Sequence, residues 1–180
     1  SLVYTITMKE GLKWSDGEAL TAEDVKWSIE TALKAATVNS IYTSAFKNIS
    51  DIAVDGNKIT LTLSTPYAAM LDVLAQFAIL PKHSLENADP LTMEADAFWT
   101  NPVTSGMYAL DELNVGNYFT LKLNENYEGT APKIKSIICY FVSDYITAAQ
   151  AGNADYVFGN AADLVEALQG MPNYTTHEVD

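Results

Sequence analysis

Apolar and polar residues alternate at the start of the chain. Tyr4, Ile6 and Met8 are separated by Thr5 and Thr7, the two-residue period of a half-buried strand. The period then lengthens. Val25, Ile29, Ala32, Leu33 and Ala36 fall on one helical stripe and predict a helix over 22–36. Lys26, Glu30 and Lys34, four apart, form a charged face of the same helix, and Trp27 lies off its apolar stripe. Residues 39–48, with Tyr42 and Phe46, read as irregular. Residues 49–54 and 58–63 alternate around Asp55-Gly56-Asn57, the clearest hairpin signal in the chain. Ile59, Leu61 and Leu63 face one side and Thr60, Thr62 and Ser64 the other, so this sheet has one wet face.

Ser64 or Thr65 followed by Pro66 reads as a helix start, and Tyr67, Met70, Leu71 and Leu74 carry that helix over 66–75. Pro81 ends the element before it, and residues 84–100 form a polar connection with a short helix near Met93 to Phe98. A second hairpin pairs 107–113 with 118–123 around Asn114-Val115-Gly116-Asn117. Residues 133–142 are β-branched and apolar on both faces, which predicts a central strand. Ser143 caps a helix over 144–151, Tyr156-Val157-Phe158 is a short strand, and Asn160 with Asp163 starts a helix over 161–169 closed by Gly170 and Pro172. The expected fold class is α+β: a mixed, mostly antiparallel sheet with flanking helices.

Composition narrows the partners. With 180 residues and 48% apolar content the chain can bury a real core. A net charge of −13 excludes nucleic acid and anionic membrane as partners, because neutralising phosphate needs clustered cations. The longest apolar run, 68–80, is interrupted by Asp72 and Gln76 and is too short to span a bilayer. The single cysteine, Cys139, lies in an apolar strand-like run and reads as a buried inert thiol.

Reactive constellations are scarce. His83 and His177 have no second histidine, cysteine or carboxylate at a ligand-like spacing, so no metal site is expected. No serine sits in a nucleophile elbow and no glycine-rich phosphate loop occurs, so neither a catalytic residue nor a cofactor is expected. The sequons Asn48-Ile49-Ser50 and Asn173-Tyr174-Thr175 carry no functional expectation.

The most specific stretch is 11–25. Asp16-Gly17 is a turn signal, since glycine tolerates positive φ and aspartate bonds its own downstream backbone. Thr21 stands three residues before Asp24, a capping box with Asp in place of Glu. Trp14 reads either as a stacking platform for a ligand or as a core anchor clamping turn to helix, and the anchor is the expected role.

Lys13-Trp14-Ser15-Asp16-Gly17 with Leu20-Thr21-Ala22-Glu23-Asp24-Val25 resembles the signature of the peptide/nickel-type (family 5) solute-binding proteins, the extracytoplasmic receptors of ABC importers. Four further segments resemble that family in its order. They are Leu80-Pro81-Lys82-His83, then 101–110 (Asn101-Pro102-Val103-Thr104-Ser105-Gly106 onward), Leu121-Lys122-Leu123-Asn124-Glu125-Asn126-Tyr127, and Ala151-Gly152-Asn153-Ala154-Asp155-Tyr156. The chain departs from the family pattern at Ala19, Glu125 and Met107, each where proline is common, and at Thr104, where glycine is common.

The resemblance implies part of lobe one of a two-lobed periplasmic-binding-protein-like clamshell. Residues 1–105 would form a small sheet-and-helix subdomain and 106–180 part of the main lobe-one subdomain, with the second lobe outside the chain. It implies a monomeric receptor that captures a peptide or similar small solute outside the cytoplasm, in the periplasm or at the cell surface as a lipoprotein. That receptor would deliver its cargo to a membrane permease without a cofactor. Peptides, metal chelates and sugars are all within the family's range. Tyr42, in the loop expected after the first long helix, is the one candidate ligand contact. Two other classes are kept open: a surface protein-interaction module, tested by whether an apolar face is left exposed, and a hydrolase, tested by whether His83 meets a serine and an aspartate in a cleft.

Overall fold

The computed structural model describes residues 2–35, 41–157, 162–169, 171–172 and 174–175. The chain divides into two compact units, Ser1–Leu113 with Thr120–Ile138, and Asn114–Phe119 with Cys139–Asp180.

The first unit is built on a three-stranded antiparallel sheet of β1 (Val3–Thr7), β2 (Ile49–Asp55) and β3 (Lys58–Leu63), in the order β1-β3-β2. The β2–β3 turn has Gly56 at φ 57, a left-handed position that glycine reaches without strain. Register follows the alternation. Ile59 stands opposite Ile6 and Val54, and Leu61 opposite Tyr4 and Ile52, so apolar residues share one face. Helix α1 (Ala22–Lys34) covers that face, and α2 (Ile41–Phe46) and α3 (Met70–Gln76) complete the layer. Ile29, Ala45, Phe46, Leu61 and Met70 are fully buried there, and Phe46 meets Phe77 edge-on at 4.8 Å.

Three expectations change in this unit. The stretch read as irregular contains α2, whose end is held by Asn48 Nδ2 donating to Ser44 O and Ala45 O. The helix expected from Pro66 starts instead at Met70. Its presumed caps are committed elsewhere: Ser64 N–H and Oγ donate to Asn48 O, and Thr65 Oγ1 donates to Asn48 Oδ1. The buried face of α1 is also more polar than its apolar stripe suggests, since Asp24, Ser28 and Thr31 are buried on it. Helix α4 (Lys82–Leu85) follows Pro81, and two short 3-10 turns, Met93–Ala95 and Ala97–Thr100, stand where a short helix was expected.

A second sheet has the order β4-β5-β6, from β4 (Tyr108–Asn114), β5 (Tyr118–Leu123) and β6 (Ser136–Tyr140). β4 and β5 form the expected hairpin, turning at Gly116 with φ 81. The boundary between the two units falls within these strands. β6 was expected to be central but closes the order at one end, and Cys139 is half-buried rather than buried.

The second unit packs α5 (Tyr145–Gln150) against α6 (Ala162–Leu168) around Ala149 and Leu168. Asp144, not Ser143, caps α5, accepting from Thr147 N–H at 2.9 Å and Thr147 Oγ1 at 2.7 Å. Tyr156 and Val157 are not in a strand, and Phe158, Asn160 and Gly170 lie outside the described residues.

The Thr147 amide, then its hydroxyl, hold the Asp144 carboxyl below the usual aspartate value. A carboxyl depressed in the folded state contributes stability above its unfolded pKa and loses it as pH falls through its folded pKa. Amides of α5 are therefore expected to lose hydrogen-exchange protection as pH drops below about 4. Asp144→Ala should abolish that pH dependence, and a carboxyl titrating at the ordinary aspartate midpoint by NMR would contradict it.

Candidate functional site

The signature segment folds back on itself. Trp14 N–H donates to Glu18 O, Leu20 N–H to Leu12 O, and Gly17 N–H to Trp14 O, while Lys13 bridges Ala19. Gly17 takes φ 94, which any other residue would adopt only under strain. Asp16 Oδ1 accepts from Glu18 N–H at 3.1 Å, the local bond expected of aspartate in a turn.

Three of the other motifs fasten to this turn. Ser15 N–H donates to Thr104 O at 2.7 Å, and Ser15 Oγ accepts from Thr104 N–H at 3.1 Å. Asn126 Nδ2 donates to Ser15 O at 3.1 Å. Asn124 Nδ2 donates to Gly106 O, and Asn124 N–H to Met107 O, joining the segment at 121–127 to the one at 101–110. His83 Nε2 lies 2.7 Å from Asp16 Oδ2, and the His83 ring is tilted against Trp14 at 6.4 Å. Trp14 itself is 1% exposed, the core anchor expected of it.

The helix start joins the same assembly. Thr21 N–H and Oγ1 both donate to Asp24 Oδ2, at 2.8 and 3.0 Å, so the aspartate closes the box that a glutamate usually closes. Its other oxygen, Oδ1, accepts from Lys82 N–H at 3.0 Å. Ser28 Oγ accepts from Leu80 N–H at 2.9 Å while donating to Asp24 O. The polar residues on the buried face of α1 thus seat the backbone of 80–82.

Most side-chain hydrogen bonds of this assembly go to backbone. His83 and Asp16 form a pair, each side chain about one-third exposed, that fixes α4 to the turn. Among the described residues no serine hydrogen-bonds the His83 ring, and the neighbouring Ser15 Oγ is committed to the Thr104 amide. The described residues contain no cluster of three metal-ligating side chains, and no described helix is long and apolar enough to cross a membrane. A shallow open groove of about 330 Å³ runs beside the turn, lined by Met8, Lys9, Leu12, Lys13, Leu20 and Asn57 among others.

Tyr42 stands on α2. Its ring is half-buried between Phe46 and Phe77, at 6.4 and 5.3 Å, and its hydroxyl donates to Gln76 O at 3.0 Å. His177 lies outside the described residues, as does Asn173 of the second sequon. The fifth motif, 151–156, is in the second unit, where Gly152 takes φ 75 and Asn153 N–H donates to Ala148 O. Sequence reading identified the motifs one by one but not their convergence. Side-chain bonds to distant backbone leave no periodic trace.

The bacterial extracellular solute-binding proteins of family 5, in their middle region, match the chain over residues 1–180. The chain belongs to that family. The glutathione-binding protein GsiB of Escherichia coli O1:K1 is 30% identical over 162 residues, 87% of this chain and 31% of that protein. The oligopeptide-binding protein AppA of Bacillus subtilis, solved with a nonapeptide, superposes with a TM-score of 0.82 at 25% identity, covering 93% of this chain and 34% of that one. NikZ of Campylobacter jejuni, solved with Ni(L-His), superposes at 0.73 with 32% identity, over 84% of this chain and 30% of that one. The chain spans about a third of the length of the curated relatives it matches.

Proposed function

We propose that this chain is a segment of the solute-binding receptor of an ABC importer, one that captures a peptide outside the cytoplasm and hands it to a membrane permease. The observation that carries this is the family match over the whole chain, together with the fastening of four family motifs into one scaffold. Named relatives and neighbours bind glutathione, a nonapeptide and a nickel–histidine chelate, so backbone-like amide and carboxylate groups are the chemistry such a cleft must accept. The role is holding rather than transforming. Affinity would come from closure of two lobes that excludes water around the cargo.

In this reading residues 1–105 form a sheet-and-helix subdomain of lobe one and 106–180 part of its main subdomain. Tyr42 is the candidate ligand contact of the segment, through the part of its ring that Phe46 and Phe77 leave uncovered. The receptor acts as a monomer, held in the periplasm or at the cell surface.

Calorimetry with a mixed peptide library on the full-length receptor tests the proposal. One-to-one binding without peptide turnover is expected, and Tyr42→Ala should weaken it by about tenfold, near the value of one aromatic contact. Hydrolysis of the library, or equally tight binding by the 180-residue chain alone, would overturn the reading.

A further inference from the structure

The stretch from Glu86 to Thr100 lies in the first unit, and the scaffold described above does not use it. It is held by its own bonds. Thr92 N–H donates to Asp89 O, Asp96 N–H to Met93 O and Trp99 N–H to Asp96 O, while Asp89 Oδ1 and Asp96 Oδ1 accept from the Leu91 and Phe98 amides. Trp99 Nε1 donates to Met93 O at 2.7 Å, and its ring meets Phe98 edge-on at 4.9 Å. The one polar atom of the indole is thus already bonded, yet Trp99 is 42% exposed. Leu91, two residues before the buried Met93, is 55% exposed.

Isolated exposed apolar residues are ordinary. The charge around these two is not. Residues 84–100 carry Glu86, Asp89, Glu94 and Asp96 and no lysine, arginine or histidine. Glu86 and Glu94 are exposed, and neither has an ion-pair partner among the described residues. A tryptophan whose ring is held and open loses little freedom on contact, and its face attracts cations. Uncompensated carboxylates on the same segment attract the same sign of charge.

We propose that residues 86–99 form a docking surface for a basic polypeptide. Such a partner sets a lysine or arginine over the Trp99 ring and an apolar side chain against Leu91, and Glu86 and Glu94 pair its remaining charges. Charge complementarity selects this occupant. A second copy would bring the same four carboxylates and a net charge of −13 to the contact, and a nucleic acid or an anionic membrane would be repelled in the same way. A bare metal ion would leave the indole and Leu91 uncovered, and no cluster of three metal-ligating side chains occurs among the described residues.

Fluorescence anisotropy of labelled poly-L-lysine with the full-length receptor, in low salt and with or without an excess of the mixed peptide library, tests the surface. Saturable binding is expected in both conditions. Glu86→Gln combined with Glu94→Gln should weaken it about tenfold, whereas Asp51→Asn with Asp55→Asn, the same change in net charge placed on β2, should weaken it less than about twofold. Trp99→Leu, which keeps apolar bulk and removes the π face, should weaken it about fivefold. Both glutamates are exposed, so their pair reports even where Trp99→Leu disturbs the fold. Equal losses from the two acid pairs would reduce the binding to overall charge and overturn the proposal, as would unchanged affinity in a folded Trp99→Leu. Binding that the library abolishes would place poly-L-lysine in the cargo site and overturn it too. A library that fails to bind while poly-L-lysine follows the expected pattern would sink the receptor reading alone.

Discussion

Trp14→Ala should lower the unfolding free energy of the chain by about 4 kcal/mol, among the largest effects of any single truncation here. The indole is 1% exposed, and it underlies both the signature turn and the His83 ring. Removing it deletes the packed surface and leaves a cavity beneath a turn whose backbone holds Thr104 and Asn126. Trp14→Phe should cost much less. The indole N–H is buried without an acceptor among the described residues, so phenylalanine deletes a desolvated donor along with part of the ring. Urea denaturation of the three proteins gives the comparison. A Trp14→Ala loss below about 1 kcal/mol would show that the tryptophan is not the anchor.

Asp24→Ala should cost about 3 kcal/mol, the second large effect. The carboxylate is 5% exposed and accepts from Thr21 N–H, Thr21 Oγ1 and Lys82 N–H. Alanine leaves those partly buried donors without their acceptor and uncouples the start of α1 from the segment that leads into α4. Asp24→Asn keeps one acceptor but turns an amide nitrogen toward a donor, so it should fall between wild type and alanine. The local signature is as informative as the midpoint: amide exchange should rise at Thr21 and Lys82 together. A rise at Thr21 alone would mean that the aspartate is only a helix cap.

How much was legible depended on the range of the forces. The β2–β3 hairpin was readable because strict alternation and an Asp-Gly-Asn turn agree over adjacent residues. The Thr21–Asp24 box was readable for the same reason. Helix α2 was missed because its six residues carry too little periodicity, and what holds its end is Asn48, whose backbone carbonyl takes Ser64 and whose side-chain oxygen takes Thr65 away from capping α3. Asp144 displaced Ser143 as a cap by one residue, within the usual imprecision of helix ends.

The candidate site was legible as a set of strings and illegible as an arrangement. Asp16 reads locally as a turn residue, not as the partner of His83, and nothing in the sequence marks Ser28 as a seat for Leu80. Tyr42 illustrates the opposite limit. The family resemblance and its place after the first long helix marked it as a candidate, but nothing local announced that its hydroxyl is bound to Gln76 O.

The bonds that hold the signature turn are unusual in their span. Partners of Ser15 lie 89 and 111 positions further along the chain, and His83 lies 67 from Asp16. Closing loops of that length is entropically slow, so this region consolidates late in folding, after β2 and β3 have paired locally. A newly made chain therefore leaves this turn unfastened until Asn126 has been synthesised. A refolding trace whose Trp14 burial is its fastest phase would contradict that order.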